Sequence, residues 1–167
     1  MPVVPRFQPG RRQSGHMTLR RGFSLVELLV VIAIIGVLLA VAIPSIERNH
    51  MNSVEIVVIK EVQTIGVAQT QYLSQFGRYA STLAQLGPPG AGVAEGTEGA
   101  HLIQSKLASG EKDGYIFTMT GTGGGYIVNA VPKEFGATGR RTFFLDQDGI
   151  VHQNWGREMA TAGSPEI

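Results

Sequence analysis

The sequence predicts an α+β chain: a long N-terminal helix, membrane-spanning in its first half and amphipathic in its second, packed on a small antiparallel β-sheet head. Three observations predict it. An unbroken apolar run extends from Phe23 to Ile43, an apolar period of three and four continues from there to Phe76, and two hairpin patterns fill the last third of the chain.

The apolar run comes first. Its 21 residues, FSLVELLVVIAIIGVLLAVAI, carry one charge, Glu27. As a helix they extend about 30 Å, the thickness of a bilayer's hydrocarbon core. Five arginines precede the run (Arg6, Arg11, Arg12, Arg20 and Arg21) with no acid among them; the remaining residues hold 9 basic and 13 acidic side chains, a net of 9 − 13 = −4. This bias orients the helix with its N-terminus in the cytoplasm and the body across the membrane. It also argues against nucleic-acid binding as the body's main work, because a phosphate-tracking surface needs clustered cations. A secretory signal peptide is the rival reading. The length of the run and the lack of a clear small-residue cleavage site weaken it, Ala40-Val41-Ala42 being the nearest to one.

Residues 1–22, rich in Pro, Gly and Arg and without an apolar period, read as a leader, with Met17 as a possible true start. Beyond Pro44 the helical pattern resumes. Val54, Val58, Val62, Ile65, Ala68, Tyr72 and Phe76 form one stripe, while Asn52, Glu55, Gln63 and Gln71 fall largely elsewhere on the wheel. Gly77 ends it. A helix over 23–76 would be about 80 Å long, more than a small domain needs.

Residues 77–167 then form the head. Ser81 is a candidate cap for a short helix ending at Leu86; Gly87-Pro88-Pro89-Gly90 stops it, and His101–Ser109 is a second short candidate. Strands are expected over Tyr115–Thr120, Tyr126–Val131, Thr142–Leu145 and Ile150–Gln153. The apolar face is assigned to Tyr115, Phe117, Ile127, Phe144 and Val151, and it must cover the helix stripe, since four short strands cannot bury a core alone.

Arg20-Arg-Gly-Phe-Ser-Leu-Val-Glu27 followed by a long apolar run resembles the processing motif of type IV pilins and of the pseudopilins of type II secretion systems. The resemblance implies cleavage by a membrane-embedded prepilin peptidase between Gly22 and Phe23, methylation of the new amino group of Phe23, and an assembly role for Glu27. Pro44 falls where the family commonly has a helix-loosening proline. The implied partners are further copies of the chain in a filament, the prepilin peptidase, the inner-membrane assembly machinery, and membrane lipid before assembly. The implied places are the bacterial inner membrane for the precursor and an extracellular pilus or periplasmic pseudopilus afterwards; adhesion, surface motility and DNA uptake are the family's uses of a pilus.

These roles make physical sense. Gly22 has no side chain to obstruct a protease. Glu27 inside a membrane segment costs about 3 kcal/mol to insert, and such groups are paired and functional by default, although so near the end of the run it could also snorkel to the headgroups. Cleavage creates its partner: the amine of Phe23 in one subunit can meet Glu27 of the next, which fixes register and neutralises both charges. Pro44 removes a helix hydrogen bond and loosens the helix locally. A pilus pilin is preferred over a pseudopilin, because the C-terminal region has only Asn154-Trp-Gly156 where major pseudopilins carry a longer Trp-Gly motif with a calcium loop. The absence of cysteine removes the disulfide that often clamps a pilin's C-terminal region. A membrane-anchored binding or enzymatic domain is the remaining alternative, and it predicts no cleavage at Gly22.

The other motifs carry little chemistry. Asp146-Gln-Asp-Gly149 opens like a calcium loop but lacks a bidentate Glu at the right spacing, and Asp-Gly is a common hairpin turn. Arg140-Arg141 beside Phe143-Phe144 is more simply a solvated loop than a nucleic-acid contact. Gly121-Thr-Gly-Gly-Gly125 lacks the Lys and helix of a phosphate loop. The four histidines show no ligand spacing, no catalytic triad or nucleotide fingerprint is visible, and the expectation is a non-enzyme with no cofactor.

Overall fold

The computed structural model describes residues 23–122 and 124–167, apart from the side chains of Val41 and of residues 44–47. The leader over 1–22, with Met17, Gly22 and the five arginines, lies outside the described residues. The chain forms two compact units, Met1–Val41 and Ala42–Ile167.

Helix α1 runs from Leu25 to Phe76, 52 residues, and Glu27 lies in its first turn. It ends where the sequence requires: Gly77 adopts φ +70° and its N–H donates to Leu73 O at 2.8 Å. In the first unit every described side chain from Phe23 to Ala40 is exposed. Among the described residues no helix is long and apolar enough to cross a membrane. The apolar run of the sequence passes through Val41, whose side chain is outside the description.

In the second unit, α1 contributes the expected stripe. Val58, Val62, Ile65, Ala68 and Tyr72 are buried, with Val54 and Phe76 partly so. Against them lies a five-stranded antiparallel meander, β1 (Glu111–Lys112), β2 (Tyr115–Thr122), β3 (Gly125–Pro132), β4 (Thr142–Asp146) and β5 (His152–Asn154), in that spatial order. Strand β1 was not foreseen, because two charged residues carry no alternation signal. Strand β5 begins two residues later than Ile150.

The apolar face differs from expectation at two positions. Tyr126, Val128 and Ala130 of β3 point to the core, so Ile127 faces outward at 46% exposed. Both alternating sets are apolar enough to be chosen, and a one-residue shift exchanges the faces. In β4, Phe143 and Leu145 enter the core, opposite Ala130 and Val128. Phe144 is buried on the other face, edge-on to the His152 ring at 6.0 Å.

Two short helices connect α1 to the sheet: α2 (Leu83–Leu86) and α3 (Ser105–Ala108). The cap position of α2 is Thr82 rather than Ser81, and the Ser81 N–H instead donates to Gln85 Oε1 at 2.8 Å. The helix expected over His101–Ser109 shrinks to α3, since the N–H groups of Ala100, His101 and Leu102 are taken by the carbonyls of Gln85, Gly87 and Leu86, with His101 at φ +53°. Gly121 is needed for close approach: a Cβ there would sit 2.0 Å from Ala80 O.

The C-terminal segment closes the sheet without a disulfide. The Gln153 N–H donates to Pro165 O at 2.8 Å and the Ile167 N–H to Val151 O at 3.0 Å, so the chain end lies along β5. Buried Thr142 donates to Glu158 O at 2.8 Å and accepts from the Ala160 N–H at 2.9 Å.

Candidate assembly site

The site residues read from the sequence lie at the start of α1. Gly22 is outside the described residues. Phe23 is 77% exposed, and the helix is joined by the Leu28 N–H donating to Ser24 O at 3.1 Å. Glu27 is exposed in the first turn, where a carboxylate also meets the unpaired N–H groups and positive end of the helix. No ion pair to Glu27 occurs among the described residues. The uncut chain provides none at Phe23, whose nitrogen is an amide and gains charge only when the bond to Gly22 is broken.

Glu27 is followed by large apolar side chains that no other element covers among the described residues. Leu28, Leu29, Ile32, Ile34, Ile35, Val37 and Leu38 are all exposed. A ring of leucine, isoleucine and valine on every side of a helix is stable only in lipid or against other helices. Nothing lies within 4 Å of a Cβ built at Gly36, which leaves that backbone open to a close neighbour. The helix passes through Pro44, which gives the Ala40 carbonyl no N–H. The structure therefore gathers Phe23 and Glu27 at the start of the helix, and Pro44 belongs to the second unit.

A second polar centre went unrecognised in the sequence. Glu55, assigned to the solvent side, is fully buried; its Oε1 accepts from the Arg140 N–H and its Oε2 from Arg141 Nε, each at 2.7 Å. The signal was present, because Met51, Glu55, Val58 and Val62 share the step of three and four that defines the buried stripe. Arg140-Arg141 is accordingly no simple solvated loop. Arg141 also donates to Gln153 Oε1 at 2.9 Å and lies over the rings of Phe143 and Trp155, at 5.4 and 4.8 Å. Arg140 donates to Asn52 Oδ1 at 3.0 Å, while its Nε is buried without an acceptor. Lys112 pairs with Glu61 and ties the sheet edge to the helix in the same manner.

Tyr115 donates to Arg141 O at 3.0 Å, and burial, followed by the charge of Glu55, pushes its hydroxyl pKa well up. Burial likewise raises Tyr126 to about 12, with smaller contributions from Tyr79 and Asp146. The Asp146 carboxylate accepts the Asp148 N–H at 3.0 Å within the turn after β4. No cluster of three metal-ligating side chains occurs among the described residues.

Residues 17–43 match the prokaryotic N-terminal methylation motif. The chain is similar to the type IV major pilin protein PilA of Myxococcus xanthus, 34% identical over 40% of this chain and 30% of that one. It is similar to a fimbrial protein of Neisseria meningitidis, 36% identical over 48% of this chain and 45% of its relative. The type IV major pilin protein PilE1 of Neisseria gonorrhoeae is 29% identical over 74% of this chain and 65% of its own. These matches support the type IV pilin family. The segment that matches the methylation motif carries Phe23 and Glu27, and the helix-on-sheet fold of the second unit is consistent with a pilin. The chain spans less than two thirds of the length of each of these curated relatives, all named as pilins or fimbrial proteins and none as an enzyme. No solved structure matches the chain significantly.

Proposed function

We propose that this chain is the precursor of a structural subunit of a type IV pilus-like filament. A prepilin peptidase cuts it between Gly22 and Phe23, the new amine of Phe23 is methylated, and the subunit waits in the inner membrane through the Phe23–Ile43 helix. Assembly machinery in that membrane then adds it to the filament. The observation that carries this reading is the bare apolar helix with a single carboxylate one turn from its start, inside the segment that matches the methylation motif.

The electrostatics follow from the geometry. In lipid, Glu27 and the Phe23 amine each carry a desolvation cost, and a subunit that brings its amine to a neighbour's Glu27 removes both costs at once. Apolar side chains around the helix give lateral contact but no axial register, because they slide past one another with little change in energy. A single charge pair per interface sets the register. Pro44 leaves the Ala40 carbonyl without its helical donor, a weak point at which the helix can adjust as it leaves lipid for the filament.

Intact mass of the chain recovered from cells tests the reading: it should begin at Phe23 and carry one methyl group. An uncut chain, retaining the arginine-rich leader, would instead fit a membrane-anchored domain.

A further inference from the structure

Met119 stands at the rim of the head's core, and its sulfur belongs to a contact that closes the exit from α1. Gln69, fully buried on α1, accepts the Ala80 N–H on Oε1 at 2.9 Å. That bond fixes the side-chain amide, so Nε2 is the atom that meets the other two partners: Ala80 O at 2.9 Å and Met119 Sδ at 3.0 Å. Ala80 is itself fully buried. The same stretch of β2 holds the next residue, because the Gly121 N–H donates to Ser81 O at 3.2 Å. The segment that leaves α1 is therefore held jointly by Gln69 and by Met119 and Gly121 of β2.

The three described methionines differ in access. Met51 is 8% exposed, Met159 is 62% exposed, and Met119 is half-buried against the core cluster. A thioether is a weak acceptor, and peroxides oxidise it. In that reaction a sulfur lone pair attacks one peroxide oxygen. An S–O bond forms, the O–O bond breaks, sulfur loses two electrons, and the other oxygen leaves as hydroxide and takes up the proton of the transferred one, giving water. Either lone pair gives the same outcome at Gln69. An oxygen added on the bonded lone pair has no room inside a 3.0 Å contact, and one added on the free lone pair leaves a positively polarised sulfur facing the Nε2 hydrogen. A buried N–H without an acceptor is costly, so the amide turns away and its hold on Ala80 goes with it.

We propose that Met119 is an oxidation site for hydrogen peroxide and that its sulfoxide releases the Gln69 clamp on Ala80, loosening the segment from Gly77 to Ser81 while the sheet stays folded. The proposal concerns the head alone and holds whether or not the subunit polymerises. The chain has no cysteine, so methionine is its only sulfur with a reversible oxidation, repaired by methionine sulfoxide reductases.

The Ala80 amide hydrogen, bonded to Gln69, is the direct reporter. The full chain in detergent is titrated with hydrogen peroxide; peptide masses assign each added oxygen to its methionine, and hydrogen exchange is followed at Ala80 and, as a reference, at Val128 in β3. The expected order of oxidation is Met159, then Met119, then Met51. Oxidation at Met159 leaves exchange at Ala80 unchanged. At Met119 it accelerates that exchange by about tenfold or more, the effect of losing one buried hydrogen bond, with Val128 still protected. Reductase treatment restores the slow rate, and Met119→Leu, which keeps the volume, shows the same rate with and without peroxide. Exchange at Ala80 that stays slow in chains oxidised at Met119 overturns the proposal, as does oxidation of Met51 before Met119. Equal loss of protection at Val128 also overturns it, by showing unfolding of the head rather than release of one clamp. The repair step keeps the test decisive if Met119→Leu does not fold, because it compares one polypeptide with itself.

Discussion

The side-chain amide of Gln69 holds both backbone groups of Ala80: the Ala80 N–H donates to Oε1 and Nε2 donates to the Ala80 carbonyl, each at 2.9 Å. A buried glutamine on α1 thus takes the place of a strand partner for the loop that leaves the helix. Gln69→Leu removes both bonds and strands two buried backbone groups, each worth about 1–3 kcal/mol. Denaturation of the detergent-solubilised chain, followed by near-UV circular dichroism, should show a loss of about 2–4 kcal/mol. A loss below half a kcal/mol would mean that water reaches Ala80.

Glu55 and Arg141 make the second test. Glu55→Ala leaves Arg141 with an uncompensated charge in a site it only partly shares with solvent, and about 3–5 kcal/mol of stability should go with it. Replacing both partners with methionine should cost less than the single change, because no charge is then left without a mate. The comparison of single and double variants by thermal melting decides the point.

The buried tyrosines set the alkaline limit of the head. Both Tyr115 and Tyr126 lose their protons less readily when folded, Tyr126 at about 12 against an ordinary 10.0. The folded state therefore binds protons that the unfolded state has released. Stability is fully present below pH 10 and falls as pH rises from 10 to about 12. Tyr126→Phe should flatten this fall in a pH series of melting curves. An unchanged slope would assign the alkaline loss to the lysine pairs.

Thr142 is the pin of the C-terminal segment. Thr142→Val keeps the shape but leaves the Glu158 carbonyl and the Ala160 N–H without their partner, at a cost of about 2 kcal/mol. Limited proteolysis should then cut between residues 156 and 164 many times faster than in the parent, while the sheet core survives. Cutting at the parental rate would show that the pairing along β5 suffices.

Glu27→Leu tests the proposed register pair. Processed, methylated chain should accumulate in the membrane, with filament yield reduced at least tenfold on electron micrographs. Normal yield would remove Glu27 from the assembly mechanism.

Much of the fold was legible because its signals are local. The stripe from Val54 to Phe76, the stop at Gly77 and both hairpins follow from spacing and turn residues, which need no knowledge of distant contacts. What escaped depends on partners far along the chain. The wheel reading puts Glu55 off the stripe, although its spacing from Val58 and Val62 fits it, and only Arg140 and Arg141, 85 and 86 residues later, offset the cost of its burial. Ile127 was assigned to the core because both faces of β3 are apolar enough, and the register came from β2 and β4. The start of α1 was the most legible part of the candidate site, since Glu27 stands alone among apolar neighbours. The Arg140, Arg141 and Trp155 cluster was not legible, because the three meet only after the sheet has formed.

Both borders of the meander are partly blocked among the described residues. Strand β1 is two charged residues long, and the far side of β5 is occupied by the chain's own last residues, Pro165 to Ile167. Strand-to-strand stacking, the default route by which sheet proteins coalesce, is hindered at both borders of this head. Subunits crowded together at high density should therefore resist fusing into amyloid.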